Sequence, residues 1–553
     1  MFISLVLNTE YANIISRKLF YLQSLKFSAR NNGIMISYEY MKTHYDELRL
    51  GSSDQLLKSW DLDDIDEIEV DKVEQYFIPD SLFSSIEKKY NSRTNTIFNL
   101  FENDEPELNK CLQGFIDDIK KKHPNEKIEG LFCIQEPLCF VRSVCRQNDI
   151  PIIPYFFSAL RQPHGYRETL YYVNLDDWLY SSNEPKTRYE QFLKETDFQF
   201  VLSHQELIVL LGKIRTFSLL PYINIEPKYE LGVCCEAWSV IPQYFSRGKV
   251  TDDDIFFDAD KCFAKSQLKV RSHSMQLDEI QVDRTFVHND PASYILSCRR
   301  LAAVRSQILL KSLLWGRTTI AYTDMLGFSF LCSNVIDSTS KVDIKALNWY
   351  LFGYLIPHDL MFSHDYWRWR LSKPSEKDIY MYHIKFLLDL FGLTLADLQD
   401  NDVARYRKIL MNRIDDLELV ELLCDNNTMN DDIIDFDNTI SRFEINDKSY
   451  WRINKLTEGK LVCQLGINER NIEKIMFYPF DDVAGIGKIE TIKINGILIK
   501  LDKGPVFFEK VKGCVDLFPY IKNQVGDESN IEKIEITWTS IPVKDFFASF
   551  TDK

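Results

Sequence analysis

The chain has 553 residues, too many for one hydrophobic core, so roughly two to four domains are expected. A hydrophobic content of 45% with 13% aromatics supports packed cores and excludes wholesale disorder. A net charge of −16 excludes a general nucleic-acid binder, which needs clustered Lys and Arg, but leaves room for a local basic pocket holding one nucleotide.

Met1–Asn8, MFISLVLN, is apolar but lacks a basic flank and a long apolar run. It reads as a buried first β-strand rather than a secretory signal. No run of about 18 apolar residues occurs, so no transmembrane helix is expected. The 12 cysteines are scattered without a CxxC pair. That pattern fits reduced, mostly buried thiols in a cytoplasmic protein better than a zinc site.

The clearest unit of the first region is Glu129–Phe157. GLFCI (Gly130–Ile134) reads as a buried parallel strand. EPLCFVRSVCRQND carries apolar residues at helical spacing, and IPIIPYFF (Ile150–Phe157) is a second strand. This is a βαβ unit. Phe198–Leu202 followed by Gln205–Leu211 repeats the pattern more weakly.

The second region begins near Tyr229. Leu268–His273 reads as a strand ending in a polar loop, and Arg300–Val304 as another strand. Ser306–Gly316 is helical, with a hydroxyl at its start and a glycine at its end. Thr318–Tyr322 is a strand again, which completes a second βαβ arrangement. Lys345–Tyr354 and Lys377–Leu390 are helical. The acidic stretch Asp425–Asp437 then separates a third region, about 445–550, whose short segments alternate apolar and polar residues between Gly, Asn and Asp. That is the pattern of an antiparallel β-sandwich.

The fold class expected is therefore α/β, with two Rossmann-like lobes followed by an antiparallel β-sandwich. The domains are 1–227, 228–425 and 445–553, with a linker at 426–444. In open α/β sheets ligands bind outside the carboxyl ends of the strands, so functional residues are sought there. At Val304–Gln307 a strand gives way to a helix start, whose unpaired N–H groups and Ser306 hydroxyl suit a phosphate; an ordinary N-cap is the plainer reading. Lys269–His273 brings Arg271 and His273 to the same edge, where His273 can donate to a phosphate oxygen. Asp324 lies in the loop after the next strand, which can read a base or a sugar.

These three elements resemble, in order and loop length, one class of bacterial polysaccharide glycosyltransferases. That class has the GT-B fold and includes the capsule and lipopolysaccharide Kdo transferases. Its K-x-H-P strand end is matched by KVRSHS (Lys269–Ser274), and its S-[ST]-x-G-x-E-A-L-x-x-G helix by SQILLKSLLWG (Ser306–Gly316). Its Y-G-x-[SA]-P-F loop is matched by AYTDMLGFSF (Ala321–Phe330). The Pro after the His is Ser274 here, the helix Gly is Leu309, and the Glu that meets the ribose is Lys311. His273, Ser306 and Gly316 survive the comparison. The resemblance implies that His273 and Ser306 approach the donor phosphate; Arg271, Gln307 and Asp324 are expected around them from their own places at the strand ends. It also implies a nucleotide-sugar donor, CMP-Kdo or a nucleoside-diphosphate sugar, and a surface-polysaccharide or lipid-linked glycan acceptor. Peripheral association with the inner membrane and self-association are compatible with that role, and neither a metal nor another cofactor is required.

The segment after Phe157 resembles the acceptor side of the same family and gathers Ser158, Arg161, His164, Tyr166, Arg167 and Glu168. For the catalytic carboxylate, Glu236 in GVCCEAW is the first candidate, since some retaining Kdo transferases use a carboxylate in this area, and Glu136 is the second. A structural ion pair is the plain alternative for Glu236. The acidic run Thr251–Asp260 reads as a helix-capping turn rather than a metal-binding DxD. Two other classes stay open: a non-catalytic scaffold of a polysaccharide assembly complex, and a glycoside hydrolase with a β-sandwich module.

Overall fold

The computed structural model describes residues 1–7, 14–31, 33–39, 62, 73–91, 93–160, 170–175, 179, 181–197, 201–212, 216, 219–220, 223–224, 226–235, 250–271, 291–390, 392 and 394. In the C-terminal part it describes 440–446, 448–453, 455–457, 460–469, 472–478, 486–500, 506–508, 515–525 and 531–541. Among them, no helix is long and apolar enough to cross a membrane.

The first sheet is built from β1 (Phe2–Val6), β2 (Ile34–Tyr38), β3 (Glu74–Ile78), β4 (Gly130–Ile134), β5 (Ile152–Phe157) and β6 (Leu170–Val173). Helix α1 (Ile14–Arg30) joins β1 to β2. Helices α2 (Asp80–Tyr90), α3 (Arg93–Glu102) and α4 (Pro106–Lys122) lie between β3 and β4, and α5 (Cys139–Gln147) connects β4 to β5. The order is β3-β2-β1-β4-β5-β6, parallel through β5 and antiparallel at β6. Every residue of β1, β2 and β4 is buried, which explains why β1 and β4 read as apolar stretches.

Helices α6 (Asn183–Glu195) and α7 (His204–Leu211) follow, and then the second sheet. It comprises β7 (Tyr229–Cys234), β8 (Leu268–Arg271), β9 (Cys298–Ala303) and β10 (Thr318–Ala321), in the order β10-β9-β7-β8, all parallel. Its helices are α8 (Asp252–Cys262), α9 (Pro291–Ser297) and α10 (Ile308–Leu314). Gly232, in β7, is held close: a Cβ there would stand 2.8 Å from Cys298 Sγ and 2.9 Å from the Tyr294 hydroxyl.

The chain then returns. Helix α11 (Ile344–Trp349) runs into a π-helical turn at Tyr350–Tyr354. Strand β11 (Ile356–Pro357) pairs antiparallel with β6, so it extends the first sheet. Helices α12 (His358–Met361) and α13 (His364–Leu371) place Leu360, Met361, Tyr366 and Trp367 in the first core, whereas α14 (Glu376–Leu390) puts Tyr380, Ile384, Leu387 and Leu388 in the second. The exchange runs both ways. Leu179, Phe192, Leu202, Leu207 and Ile223 precede β7 yet belong to the second core.

The third region forms two antiparallel sheets, of four and six strands, between Ile440 and Ile541. Alternate residues bury into one shared core: Phe443 and Ile445, Cys463 and Leu465, Ile475 and Phe477, Ile492 and Ile494, and Ile534, Ile536 and Trp538. This is the period-2 pattern visible in the sequence. A hairpin turns at Asn495 and Gly496, both at positive φ (49° and 82°), the pair that suits such a tight turn.

Candidate functional site

Because β8, β7, β9 and β10 are parallel neighbours, their carboxyl ends lie along one edge. Arg271 is the last residue of β8 and stands in register with Cys234 of β7, where the Cys235 N–H donates to Arg271 O at 2.9 Å. Val304, Arg305 and Ser306 follow β9, and Tyr322–Asp324 follow β10. The Tyr322 N–H donates to Ala303 O (3.1 Å) and the Thr323 hydroxyl to Val304 O (2.9 Å), which ties these two strand ends together. Between β7 and β9 the strand order reverses direction, so the edge holds a topological switch point.

The structure thus brings Arg271, Ser306, Gln307 and Asp324 to one edge of one sheet. Arg271, Arg305, Ser306 and Gln307 are half-buried, and Asp324 is exposed. Two predicted residues, Glu236 and His273, lie outside the described residues. The helix start needs a correction. The sequence pattern places it at Ser306, but α10 begins at Ile308 with Gln307 as its cap and no side-chain capping bond from Gln307. Its first bonds span three residues, Leu309 N–H to Ser306 O (3.1 Å) and Leu310 N–H to Gln307 O (3.2 Å). The tight first turn carries the Ser306 hydroxyl ahead of the helix, where it accepts from the Ile308 N–H at a long 3.5 Å. Gly316, by contrast, sits at φ +69° just past the helix, as a terminating glycine should.

Cys234, although it ends β7 beside Arg271, is no nucleophile: burial pushes its thiol up to about 12. The acidic run after Thr251 is the first turn of α8, where Asp254 accepts from the Thr251 N–H at 2.7 Å. Three aspartates at a helix start complement the partial positive charge there. Asp258, further along, accepts from the Tyr322 hydroxyl at 3.1 Å. These carboxylates are therefore helix-capping and strand-tethering groups.

In the first sheet the order reverses at β1, which places the carboxyl end of β4 at the switch point. Gln135 stands there at φ +65°, with its side-chain oxygen buried and accepting no hydrogen bond among the described residues. A glutamine held in the left-handed region is strained. Nothing in the sequence signals it, because glutamine carries no preference for that conformation. Glu136 next to it is buried. One oxygen accepts from Arg142 Nη1 (3.1 Å) and the other from the Leu179 N–H (2.7 Å), so its carboxylate anchors the 179 segment. Ser158 is also buried, and its Oγ accepts from the Leu160 N–H at 3.1 Å, which fixes the turn after β5. Arg161, His164, Tyr166, Arg167 and Glu168 lie outside the described residues.

The fold therefore defines a class of architecture: two α/β sheets, the first parallel through β5 with antiparallel β6 and β11 and the second all parallel, each with a strand-order reversal, and an antiparallel β module. No protein-family model and no curated protein matches the chain. Among solved structures, a Thermosulfurimonas dismutans KpsC β-Kdo 2,4 transferase overlaps 39% of this chain and 75% of its own, at 10% identity and a TM-score of 0.26. The β-Kdo 2,7 transferase of KpsC from the same organism overlaps 46% and 90%, at 11% identity and 0.28. Arabidopsis thaliana UGT89C1 complexed with UDP overlaps 76% and 99%, at 10% identity and 0.25. At TM-scores this low the overlaps assign no function to the chain.

Proposed function

We propose that the chain is a glycosyltransferase that uses a nucleotide-activated sugar and binds the donor phosphate at the carboxyl edge of the second sheet. The observation that carries this reading is the strand-order reversal between β7 and β9, with Arg271 at the end of β8 and Arg305 and Ser306 after β9, on either side of β7. Such reversals open crevices that take ligands, and guanidinium groups beside a helix start complement phosphate oxygens.

In this reading His273 and Ser306 donate to the donor phosphate, with Arg271, Gln307 and Asp324 around it. As the bond from the anomeric carbon to the phosphate oxygen breaks, these donors offset the charge growing on the departing nucleotide. Glu236, which follows Cys235 in sequence, takes the proton of the acceptor hydroxyl or attacks the anomeric carbon. Fixed protein groups supply the positive charge, so the reaction runs without a metal. Arg161, His164 and Glu168 meet the acceptor glycan, and Ser158 shapes the turn that leads into them. The donor is CMP-Kdo or a nucleoside-diphosphate sugar.

The test is a thermal-shift panel of CMP, UDP, GDP and dTDP, run on the wild type and on the His273→Ala and Ser306→Ala variants. One nucleotide should stabilise the wild type, and both variants should respond less. If no nucleotide stabilises the wild type, or if both variants respond as it does, the site is wrong. Slow hydrolysis of CMP-Kdo or a UDP-sugar by the protein separates an enzyme from a scaffold.

A further inference from the structure

A cavity lies at the opposite edge of the same sheet, where the strands begin. It has a volume of about 560 Å³ and is lined by the starts of α7, β9 and β10 and the segment before β7. That volume falls in the range of small-molecule sites. Four cationic side chains face it, Arg299, Arg300, Arg317 and Lys341, against the single carboxylate Glu226. In a chain of net charge −16 this is a local inversion of sign.

The arginines are not equivalent. Arg300 is buried and donates to Glu230 Oε2 (2.6 Å) and to Ser338 O (2.8 Å). Arg299 pairs with Glu226 and Glu230. Arg317 differs from both. Its Nη2 donates to Leu296 O at 3.2 Å, its buried Nε has no acceptor, and no carboxylate among the described residues lies within ion-pair distance. Burial, with Arg299 also nearby, pulls its guanidinium down to about 10, so the charge stands partly desolvated and, among the described residues, without a counter-ion. His204 adds no compensating charge. Its Nδ1 donates to Leu314 O at 3.0 Å, and burial lowers its affinity for a second proton. Trp315 and Ile223 supply apolar wall beside these cations.

We propose that this cavity binds a small phosphate-bearing metabolite whose oxyanion supplies the missing counter-charge to Arg317, with Lys341 at the rim. The site is separate from the carboxyl edge and does not depend on the donor reading. A phosphate there meets guanidinium donors in charge-assisted hydrogen bonds, while the remaining volume accommodates the organic part of the ligand.

The experiment is calorimetric titration of the full chain with pyrophosphate at low ionic strength, for the wild type and for Arg317→Gln, Lys341→Glu and Ser306→Ala. Lys341 is exposed, so Lys341→Glu tests the site without threatening the fold. The wild type should bind, and loss of a charge-assisted bond in Arg317→Gln should weaken Kd by about tenfold or more. Lys341→Glu should also weaken binding, and Ser306→Ala, which touches only the proposed donor edge, should leave the Arg317-dependent binding in place. Absence of wild-type binding overturns the proposal. So does binding equally strong in Arg317→Gln and Lys341→Glu, or binding removed by Ser306→Ala alone.

Discussion

Gly316 and His204 lie so close that a Cβ on Gly316 would stand 3.0 Å from His204 Cδ2. The glycine also holds φ at +69°, a conformation that L side chains rarely adopt. Gly316→Ala therefore meets two penalties, backbone strain and a ring that must shift. Together they should destabilise the second α/β unit by about 1–3 kcal/mol. The measurement is the thermal midpoint, which should fall by about 2–4 °C per kcal/mol for a unit of this size. A midpoint within error of the wild type would show that the loop and the ring relax freely.

Gly316 also shows how much of the fold could be read from residues alone. A glycine at the end of an apolar helical stretch marks a left-handed cap, because few other residues tolerate that backbone. The apolar runs of β1, β4 and β5 were legible for a similar reason: a strand buried on both faces carries no polar alternation. The alternation of the third region was legible because one face of each strand meets a core. The local signal fails where distant contacts decide. Leu202 N–H donates to Asn348 Oδ1 at 2.8 Å across 146 residues, and β11 joins β6 across more than that, so the exchange of segments between the two cores leaves no trace in local pattern. The placement of the candidate residues was half legible. Strand ends and a helix start named Arg271 and Ser306, but the tight first turn that shifts the helix start to Ile308 depends on packing, and the strain at Gln135 has no sequence mark.

Arg188 on α6 and Glu376 on α14 form a two-pronged ion pair, Nε to Oε1 at 2.9 Å and Nη2 to Oε2 at 3.1 Å. Both side chains are only 12% exposed, Glu184 stands 3.6 Å from the same guanidinium, and Nη2 also donates to Gly353 O. Arg188→Met removes the cation and leaves two nearly buried carboxylates. The expected loss is about 3–5 kcal/mol, read as a lower denaturant midpoint. Arg188→Met combined with Glu376→Leu should recover part of that loss, because the double variant strands one carboxylate fewer. A double variant no more stable than Arg188→Met would refute the pairing argument.

The pH dependence follows from three buried or paired groups. Burial holds His383 down to about 3 and His364 down to about 4, against an ordinary value of 6.5. His383 is fixed as the neutral ring, accepting from the Tyr366 hydroxyl at 2.7 Å through Nε2 and donating to Phe352 O through Nδ1. Below pH 6.5 the unfolded chain takes up protons that the folded chain refuses, so stability is full above that pH and falls as acid is added. Glu129, held down to about 2 chiefly by Arg368, acts in the same direction over a lower window, between 4.5 and 2. The thermal midpoint should therefore start to fall near pH 6.5 and continue through pH 4. His383→Gln should flatten the upper part of the curve and Glu129→Gln the lower part. A midpoint constant from pH 7 to pH 5 in the wild type would contradict the buried-histidine account.

Gln135 offers the cleanest separation of strain from contact. Replacement by alanine removes the carboxamide but keeps a side chain at φ +65°. Replacement by glycine removes the same carboxamide and also the strain, at the cost of greater freedom in the unfolded chain. Gln135→Gly should therefore be more stable than Gln135→Ala by about 1 kcal/mol, which thermal melts of the two variants would resolve. Strained residues persist where the surrounding structure over-determines them, and they cluster at ligand sites. Gln135 stands at the switch point of the first sheet, with a buried acceptor that no described residue uses. On the proposed function, both variants should therefore lose activity to a similar extent despite their different stabilities. If Gln135→Gly kept full activity, the strain at Gln135 would have a purely structural origin.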